Sequence, residues 1–291
     1  MRPVPSFHYH RPTSVEEAIE LLGSLDNAKP FAGGTDLVSL LREGVVKSKH
    51  LVDLNQVAEL NYVRMEGGFV CIGAATTHSQ IIDSPIIKEK AHALYDAVSR
   101  IGSPQIRNLG TITGNVCNAS PAADAAPPLL VLDAEVTTKS VDDTKQMPIS
   151  GLFAGPKINT LGPNELVTEI RFPVPPANSG SAYRRIARRK AFTLSVVGAA
   201  AYVEMDEEIC SDAKVAFGSV AETPIRVEAV EGLIRGKEPT PELMERVCEA
   251  CKGHVRPITD IRGTADYRRD MCAVLLKRAM DRSLEVARWE R

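Results

Sequence analysis

The sequence has no long apolar run and no excess of charge of either sign. Its 291 residues carry 35 Lys and Arg against 37 Asp and Glu, a net charge of −2. Balanced charge argues against a dedicated nucleic-acid or membrane-surface binder, because such proteins need a basic excess to neutralise phosphates. No stretch reaches the length of a membrane span, and the N-terminus lacks the apolar segment of a signal peptide. We therefore expect a cytoplasmic protein without a membrane span.

The cysteines are too scattered to form a disulfide framework or a metal site. Among the six, only Cys248 and Cys251, with His254 three residues later, have the spacing of metal ligands. They fall in a predicted helix over 241–253, where residues i and i+3 share a face, and no second pair lies nearby to complete four ligands. We predict reduced structural thiols and no metal in this chain.

Acid–base pairs of a catalytic site are missing as well. The six histidines are dispersed, and no Ser-His-Asp, Cys-His or paired-carboxylate arrangement is visible. We therefore predict no catalytic residue in this chain. A redox cofactor carries its own chemistry and needs mainly binding and orientation from the protein. A chain that binds such a cofactor without acid–base residues is typical of an electron-transfer component.

Two glycine-rich turns are present instead. The first turn, residues 31–36, reads Phe-Ala-Gly-Gly-Thr-Asp and lies between a predicted strand and a predicted helix. Glycine lets backbone N–H groups approach a phosphate, and a helix N-terminus favours an anion. Lys29, just upstream, would offset phosphate charge. An ordinary strand–helix turn with Thr35 as the N-cap explains the same residues, so this segment alone leaves both interpretations open.

The second turn, residues 110–124, surrounds a glycine with small polar side chains. Neither turn contains the Gly-Lys-Ser/Thr of a P-loop or a G-x-G-x-x-G motif. Ile112, Val116 and Ala119 indicate partial burial, which a solvated loop does not need. We therefore favour contact between this turn and the ribityl and phosphate oxygens of a cofactor. The residues that would make the contact are Thr111, Thr113, Gly114, Asn115, Asn118 and Ser120.

A proline-rich segment divides the chain. Residues 173–181 carry the clearest linker signal, so we predict domains over 1–175, with parts over about 1–57 and 58–175, and over 176–291. The basic run 184–190 is expected to be a solvated face, with a contact to a partner protein or charge support for the cofactor's phosphates as alternatives. The predicted helices cover 15–25, 36–42, 86–101, 124–132, 228–235, 241–253 and 265–288, and the predicted strands 29–32, 50–54, 62–65, 69–72, 134–138, 166–172, 197–204 and 210–220.

Several segments, in order along the chain, resemble one family. They are residues 31–37 (FAGGTDL), 102–115 (GSPQIRNLGTITGN), 118–124 (NASPAAD), 161–173 (LGPNELVTEIRFP), 266–269 (DYRR) and 276–279 (LKRA). These motifs resemble the FAD-binding medium subunit of molybdenum hydroxylases, the family that includes xanthine dehydrogenase and carbon monoxide dehydrogenase. The stretch Asn115-Val-Cys-Asn118 is most similar to bacterial xanthine dehydrogenase subunits.

The resemblance implies an α+β fold. A two-part FAD-binding domain of the vanillyl-alcohol-oxidase (PCMH) type would precede a C-terminal α+β domain with an antiparallel sheet and helices. The family's pyrophosphate contact matches residues 32–36, and residues 111–115 match a segment that wraps the dinucleotide. Leu161 matches an apolar cofactor contact, and Arg184 a cationic residue near the cofactor. The full predicted cofactor-binding set is Lys29, Ala32, Gly33, Gly34, Thr35, Asp36, Ile101, Thr111, Thr113, Gly114, Asn115, Ser120, Asp124, Leu161 and Arg184.

The resemblance also implies a complex. A large partner subunit would hold the molybdenum cofactor and a small one the 2Fe–2S clusters, while FAD in this chain passes electrons to NAD or another acceptor. The expected substrates are xanthine, other purines, or related heterocycles and aldehydes. Some members attach flavin through a histidine, but neither turn contains one, so we expect noncovalent FAD. Residues 188–193, Arg-Arg-Lys-Ala-Phe-Thr, lack the acidic residues found in NAD-using relatives, which argues against NAD.

Two other functions stay open from the sequence. A self-contained flavin oxidase or dehydrogenase of the same fold would need a substrate-capping domain with an active-site base, which residues 176–291 do not reveal. A nucleotide-binding scaffold without flavin would need only the two turns. The colour of the purified protein separates the flavin-binding functions from the scaffold.

Overall fold

The chain begins with a small parallel sheet. The computed structural model describes residues 3–189 and 191–289. Its first part alternates as β1 (His8–His10), α1 (Val15–Ser24), β2 (Ala28–Phe31), α2 (Leu37–Glu43) and β3 (His50–Asp53). The strands pair in parallel in the order β1-β3-β2, since the helices return the chain between them. The predicted strand–helix alternation is confirmed, and the first glycine turn joins β2 to α2.

The two helices of this part begin differently. Helix α1 starts after Ser14, whose Oγ accepts a hydrogen bond from the backbone N–H of Glu17 (3.2 Å). The predicted N-cap of α2 at Thr35 is wrong, because Asp36 directly precedes the helix and no side chain caps it. The backbone N–H of Val38 instead donates to the carbonyl of Gly34 (3.0 Å). The glycine turn itself therefore forms the start of α2.

The middle of the chain forms a five-stranded antiparallel sheet. Its strands are β4 (Val63–Glu66), β5 (Phe69–Gly73), β6 (Glu135–Lys139), β7 (Thr144–Pro148) and β10 (Leu166–Pro173), in the order β4-β5-β10-β6-β7; β8 (Phe153–Gly155) and β9 (Ile158–Asn159) form a separate hairpin. The strands predicted over 62–65, 69–72, 134–138 and 166–172 are confirmed. One face of the sheet packs on apolar helical residues, which include Leu94, Val98, Ile112, Val116 and Leu129.

The helices over this sheet are short. Between β5 and β6 lie α3 (His78–Asp83), α4 (Pro85–Lys90), α5 (His92–Val98), α6 (Pro104–Leu109), α7 (Ile112–Cys117) and α8 (Ala126–Val131). The single helix predicted over 86–101 is wrong, because Ala91 leaves the helical conformation and separates α4 from α5. The predicted loop over 110–124 contains α7, and the helix predicted to begin at Asp124 begins at Ala126.

The C-terminal half is an antiparallel sheet with helices. Its strands β11 (Ser179–Ala187), β12 (Ser195–Asp206), β13 (Ile209–Gly218) and β14 (Ile225–Arg226) pair in sequence order, and α9 (Glu228–Ile234), α10 (Pro241–Ala250) and α11 (Ala265–Trp289) follow. Strand β11 was not predicted: it begins within the expected linker and ends at Ala187, inside the basic run. At Gly180 the absence of a side chain lets the backbone of α11 lie directly on the strand.

The buried face of α11 begins with a charged residue. Arg268 is 1% exposed, whereas Tyr267 and Val274 of the same helix are 44% and 37% exposed. The Nη1 group of Arg268 donates to the carbonyls of Val196 (2.8 Å) and Ser219 (3.0 Å), at the start of β12 and just after β13. Apolar residues at helical spacing could not identify the whole buried face of α11, because its first buried residue is Arg268.

Replacing Arg268 with Ala should strongly destabilise the C-terminal half. The substitution leaves two buried carbonyls without their donor, and it removes the Nη2 bond (2.5 Å) to Asp260, whose carboxylate keeps its pairing with Arg262. We expect the free energy of unfolding to fall by about 3–5 kcal/mol in urea titrations. Arg269→Ala is the matched control, since Arg269 pairs with an exposed Asp266 and its loss should cost less than about 1 kcal/mol. Equal losses in the two variants would contradict this role of Arg268.

Candidate functional site

The two glycine turns touch each other. A Cβ added to Gly33 would overlap the carbonyl oxygen of Leu109 and lie 2.8 Å from the Cα of Gly110. On the other side of this contact, a Cβ added to Gly110 would lie 3.5 Å from Oγ1 of Thr35. Only a residue without a side chain at position 33 lets the two backbones approach this closely. The turns thus form one continuous backbone surface, which we call the glycine cradle (residues 32–36 and 110–115).

The first half of the cradle depends on Gly34. Its φ of +65° lies in the left-handed region that glycine adopts without strain. A Cβ at this position would also meet the ring of Phe31 at 2.5 Å. The turn is half-buried except for Asp36, which is exposed at the start of α2. Glycine is therefore required here by both backbone conformation and space.

The second half is fixed by the segment after β5. Thr111 forms a β-bridge with Thr77, and the N–H of His78 donates to the carbonyl of Gly110 (2.9 Å). Thr111 also caps α7, because its Oγ1 accepts from the N–H of Gly114 (3.0 Å). These bonds orient the start of α7 towards the first turn.

Two buried polar atoms of the cradle lack partners. Thr113, which is 8% exposed, and Asn115 each bury a side-chain oxygen that forms no hydrogen bond within the described part of the chain. An unpaired buried polar group costs roughly 1–3 kcal/mol, so such atoms at a binding site indicate a ligand that pairs with them. A hydroxyl and an amide oxygen match the ribityl hydroxyls and phosphates of a flavin dinucleotide. The cradle therefore fits FAD.

Asp124 joins the second turn to the C-terminal sheet. Its carboxylate is 7% exposed, and Oδ1 accepts hydrogen bonds from the Tyr183 hydroxyl (2.6 Å) and the Ser195 hydroxyl (2.5 Å). Oδ2 pairs with Arg185. Burial, together with the neighbouring Asp124 charge, holds the pKa of Tyr183 well above its usual value, so this phenol stays a donor. The Asp124 side chain is thus occupied by protein partners, and its predicted contact with the cofactor stays a prediction.

Arg185 links two segments of the predicted site. Besides Asp124 it binds the carbonyl of Arg100 through Nη2 (2.6 Å), directly before Ile101. Ile101 itself is half-buried, and its carbonyl accepts from Arg107 (3.0 Å). The expectation of a solvated basic run is wrong for Arg185, whose side chain is 4% exposed. Only its tertiary partners reveal its role, because a charge run carries no local signal of burial.

The other predicted residues lie around the cradle. Lys29 is exposed on β2, Leu161 packs against the core of the middle sheet, and Arg184 pairs with Asp96 (2.6 Å). Within the described ranges, these three make no hydrogen bond to the cradle. Ser120 Oγ accepts from the N–H of Ala122 (3.3 Å), beyond the end of α7.

The end of the basic run stays at the surface. Arg188 and Arg189 are exposed, and Arg188 donates through Nη1 to the carbonyl of Ile261 (3.0 Å). Lys190 lies outside the described residues. With Arg100 and Arg185, these two arginines line a cleft of about 420 Å³.

The predicted cysteine pair lies in the C-terminal core. Cys248 and Cys251 are unbridged and buried beside α11. Across residues 3–189 and 191–289, no group of three or more His, Cys, Asp or Glu is arranged to hold a metal ion. In the same ranges, no helix combines the length and apolar character needed to cross a membrane.

His78 is a site residue that the sequence did not reveal. It is 2% exposed beneath Gly110, and its Nδ1 has no hydrogen-bond partner among the described residues. Burial, helped by the positive charge of Arg107, lowers the pKa of its imidazole to about 4. The ring is therefore neutral at neutral pH, and no motif around it in the sequence indicated this.

Substituting His78 by Leu should flatten the pH dependence of stability. As pH falls from about 6.5 towards 4, the unfolded wild-type chain binds a proton that the buried imidazole does not. Wild type should therefore lose roughly 3 kcal/mol more unfolding free energy than the variant over this range. Urea unfolding of both proteins at several pH values measures the difference. If the unfolding free energies of the two proteins change in parallel with pH, His78 titrates normally in the folded protein.

Comparisons with known proteins agree with this geometry. Residues 5–175 match the FAD binding domain in molybdopterin dehydrogenase, and residues 181–283 match the CO dehydrogenase flavoprotein C-terminal domain. The carbon monoxide dehydrogenase medium chain of Hydrogenophaga pseudoflava is 33% identical over 278 residues, 95% of this chain and 96% of the relative. A xanthine dehydrogenase FAD-binding subunit of Escherichia coli is 33% identical over 281 residues, 96% of each chain.

A solved structure is equally similar. A chain of the Hydrogenophaga pseudoflava carbon monoxide dehydrogenase that lacks the Mo-pyranopterin moiety superposes with a TM-score of 0.94 at 33% identity, covering 98% of this chain and 99% of the other. The predicted two-domain α+β fold is thereby confirmed, and so is the resemblance. The chain belongs to the FAD-binding medium subunits of molybdenum hydroxylases, and is an oxidoreductase component.

Proposed function

We propose that the glycine cradle binds FAD noncovalently, with the pyrophosphate on residues 32–36 and the dinucleotide wrapped by residues 111–115. The close approach of Gly33 to Leu109 carries this proposal, because it brings two separate turns together into one continuous backbone surface. The start of α2 adds the positive end of a helix dipole beside the first turn. Lys29 supplies positive charge from β2, where it offsets the charge of the phosphates.

The remaining predicted residues serve the rest of the cofactor in this proposal. Thr113 and Asn115 offer the unpaired oxygens to ribityl hydroxyls, and Ser120 continues this polar edge. Leu161 and Ile101 would exclude water from the flavin ring. Asp124 and Arg184 act at the end of the site nearest the C-terminal sheet, where Arg184 is held by Asp96. No residue of the chain is assigned an acid–base step.

The electron path defines the role of this chain in a complex. We propose that it receives electrons from the iron–sulfur clusters of a small subunit, after a large subunit with the molybdenum cofactor oxidises the substrate. Bound FAD accepts electrons singly or in pairs, which suits a step between one-electron clusters and a two-electron acceptor. The acceptor is NAD or another oxidant, and the absence of carboxylates in residues 188–193 disfavours NAD.

The proposed substrate of the complex rests on one short stretch of sequence. The stretch Asn115-Val-Cys-Asn118 supports a purine such as xanthine, or a related heterocycle or aldehyde. Relatives named for carbon monoxide and for xanthine are equally identical to this chain, so overall identity does not discriminate between substrates. Substrate contacts belong to the large subunit in this proposal.

Adding a methyl group at Gly33 should abolish FAD retention. A Cβ there collides with the carbonyl of Leu109 and forces the two turns apart. We expect Gly33→Ala to lower the flavin content of the purified chain at least about tenfold, the loss of roughly 1.4 kcal/mol of binding. Flavin absorbance per protein is the measurement.

Gly44→Ala is the matched control. Gly44 follows α2 at a φ of +75°, and a Cβ there meets nothing within 4 Å. The control therefore introduces backbone strain without touching the second turn, and it should retain its flavin. If Gly33→Ala also keeps full flavin content, the pyrophosphate does not lie on this turn.

Electron transfer should depend on the partner subunits. With FAD bound, the isolated chain should not be reduced by xanthine, because it contributes no residue to substrate oxidation. The flavin absorbance of the assembled complex should bleach on addition of substrate and recover with the true acceptor, tested with NAD and with an artificial dye. Bleaching of the isolated chain by the substrate would instead identify a self-contained dehydrogenase.

A further inference from the structure

The side-chain amide of Asn55 is hydrogen-bonded to the first turn of the cradle. Asn55 follows β3, and its Nδ2 donates a hydrogen bond to the carbonyl oxygen of Ala32 (3.1 Å). It links two segments 23 residues apart in the sequence. Ala32 is the first residue of the turn, so this bond acts on the peptide that leads into Gly33.

Asp53 fixes the orientation of Asn55. The carboxylate is 4% exposed, and its Oδ1 accepts from the backbone N–H (3.0 Å) and from Nδ2 (2.6 Å) of Asn55. The two hydrogens of the amide group can thus serve Asp53 and Ala32 at the same time. A bond to a charged acceptor is stronger than one between neutral groups, so the side chain is held in this orientation.

Tyr9 completes the arrangement from the first strand. Its hydroxyl donates to Oδ2 of Asp53 (2.6 Å), and its ring packs edge-on against Phe31 with centroids 6.0 Å apart. Burial, with the hydrogen bond to Asp53, raises the pKa of Tyr9 to about 12, so the phenol keeps its proton. Phe31 in turn lies beneath Gly34. Both glycines of the turn are therefore supported by one cluster.

The geometry of the peptide bond links the direction of the Ala32 carbonyl to that of the Gly33 N–H. The carbonyl of Ala32 and the N–H of Gly33 belong to the same peptide, and in a trans peptide they point in opposite directions. No cis peptide occurs in the described chain. A hydrogen bond that holds the Ala32 oxygen towards Asn55 therefore directs the Gly33 N–H to the opposite side of the turn.

We propose that Asn55, oriented by Asp53 and Tyr9, is a positioning residue that aims the Gly33 N–H at the pyrophosphate of FAD. This inference rests on the proposed binding of FAD to the cradle. Asn55 does not touch the cofactor; it fixes the donor before the cofactor arrives. An anion-binding turn gains affinity from such preorganisation, because the donor direction need not be fixed on binding.

Asn55→Ala and Tyr9→Phe test the proposal in the full-length chain. Asn55→Ala removes the donor to Ala32, and we expect the Kd for FAD, from flavin fluorescence titration of the apoprotein, to rise about tenfold. Tyr9→Phe keeps the ring contact with Phe31 and removes only the hydroxyl, so a rise of roughly threefold is expected. The double variant should bind no more weakly than Asn55→Ala alone, because the hydroxyl acts through Asn55.

Thermal unfolding separates positioning from simple structural support. A positioning role predicts that Asn55→Ala lowers the melting temperature of the apoprotein by no more than about 4 °C, because Asp53 keeps the Tyr9 hydroxyl and the backbone N–H of residue 55 as donors. Asn61→Ala is the matched control, since Asn61 is an exposed amide that accepts from Gln80 and does not touch the turn; its Kd for FAD should equal that of wild type.

The outcomes distinguish this inference from the proposed function. If wild type takes up FAD and Asn55→Ala binds it equally well, the positioning role is overturned while FAD binding stands. Additive losses in the double variant would overturn the coupling of Tyr9 to Asn55. A wild-type chain that cannot be reconstituted with FAD overturns the proposed function, and the positioning role with it.

Discussion

The buried carboxylate of Asp124 is the constraint on which the joint between the two halves of this chain depends. A charge removed from water costs several kcal/mol unless it is paired and hydrogen-bonded. Here Tyr183, Ser195 and Arg185 satisfy it, all from the C-terminal sheet. Arg185 also holds the carbonyl of Arg100. Separating the halves would expose every one of these bonds, so the second turn and the C-terminal sheet are held in one arrangement.

The cradle follows from a second constraint, the missing side chain at Gly33. Because the backbone of the first turn lies against Leu109 and Gly110, neither turn can move without the other. Asn55 also restrains the same turn, through its hydrogen bond to the carbonyl of Ala32. In our proposal, a turn held by two restraints presents its N–H groups in a fixed direction, which suits a protein that supplies binding and orientation to a redox cofactor.

The sequence predicted elements well where local signals were strong. The strands predicted over 29–32 and 50–54 and the pair predicted over 197–204 and 210–220 are confirmed as β2, β3, β12 and β13. Strand β11 was missed because its first residues lie in the proline-rich segment 173–181 and its last residues, which include Arg184 and Arg185, lie in the basic run. Helix α7 was missed because Gly114 and short polar residues are typical of loops; its cap at Thr111 and its burial over the middle sheet make it helical.

The sequence by itself determined the family and the class of cofactor, and it predicted the two turns that we propose hold it, because these depend on residue types at short, fixed spacings. Only the tertiary structure decided that the turns touch, that Arg185 is buried against Asp124, and that His78 and Asn55 support the cradle. These contacts join residues between 23 and 77 positions apart, and no local spacing encodes them. They form only when whole sheets pack, since that packing sets which side chains lose water and which partners they then require.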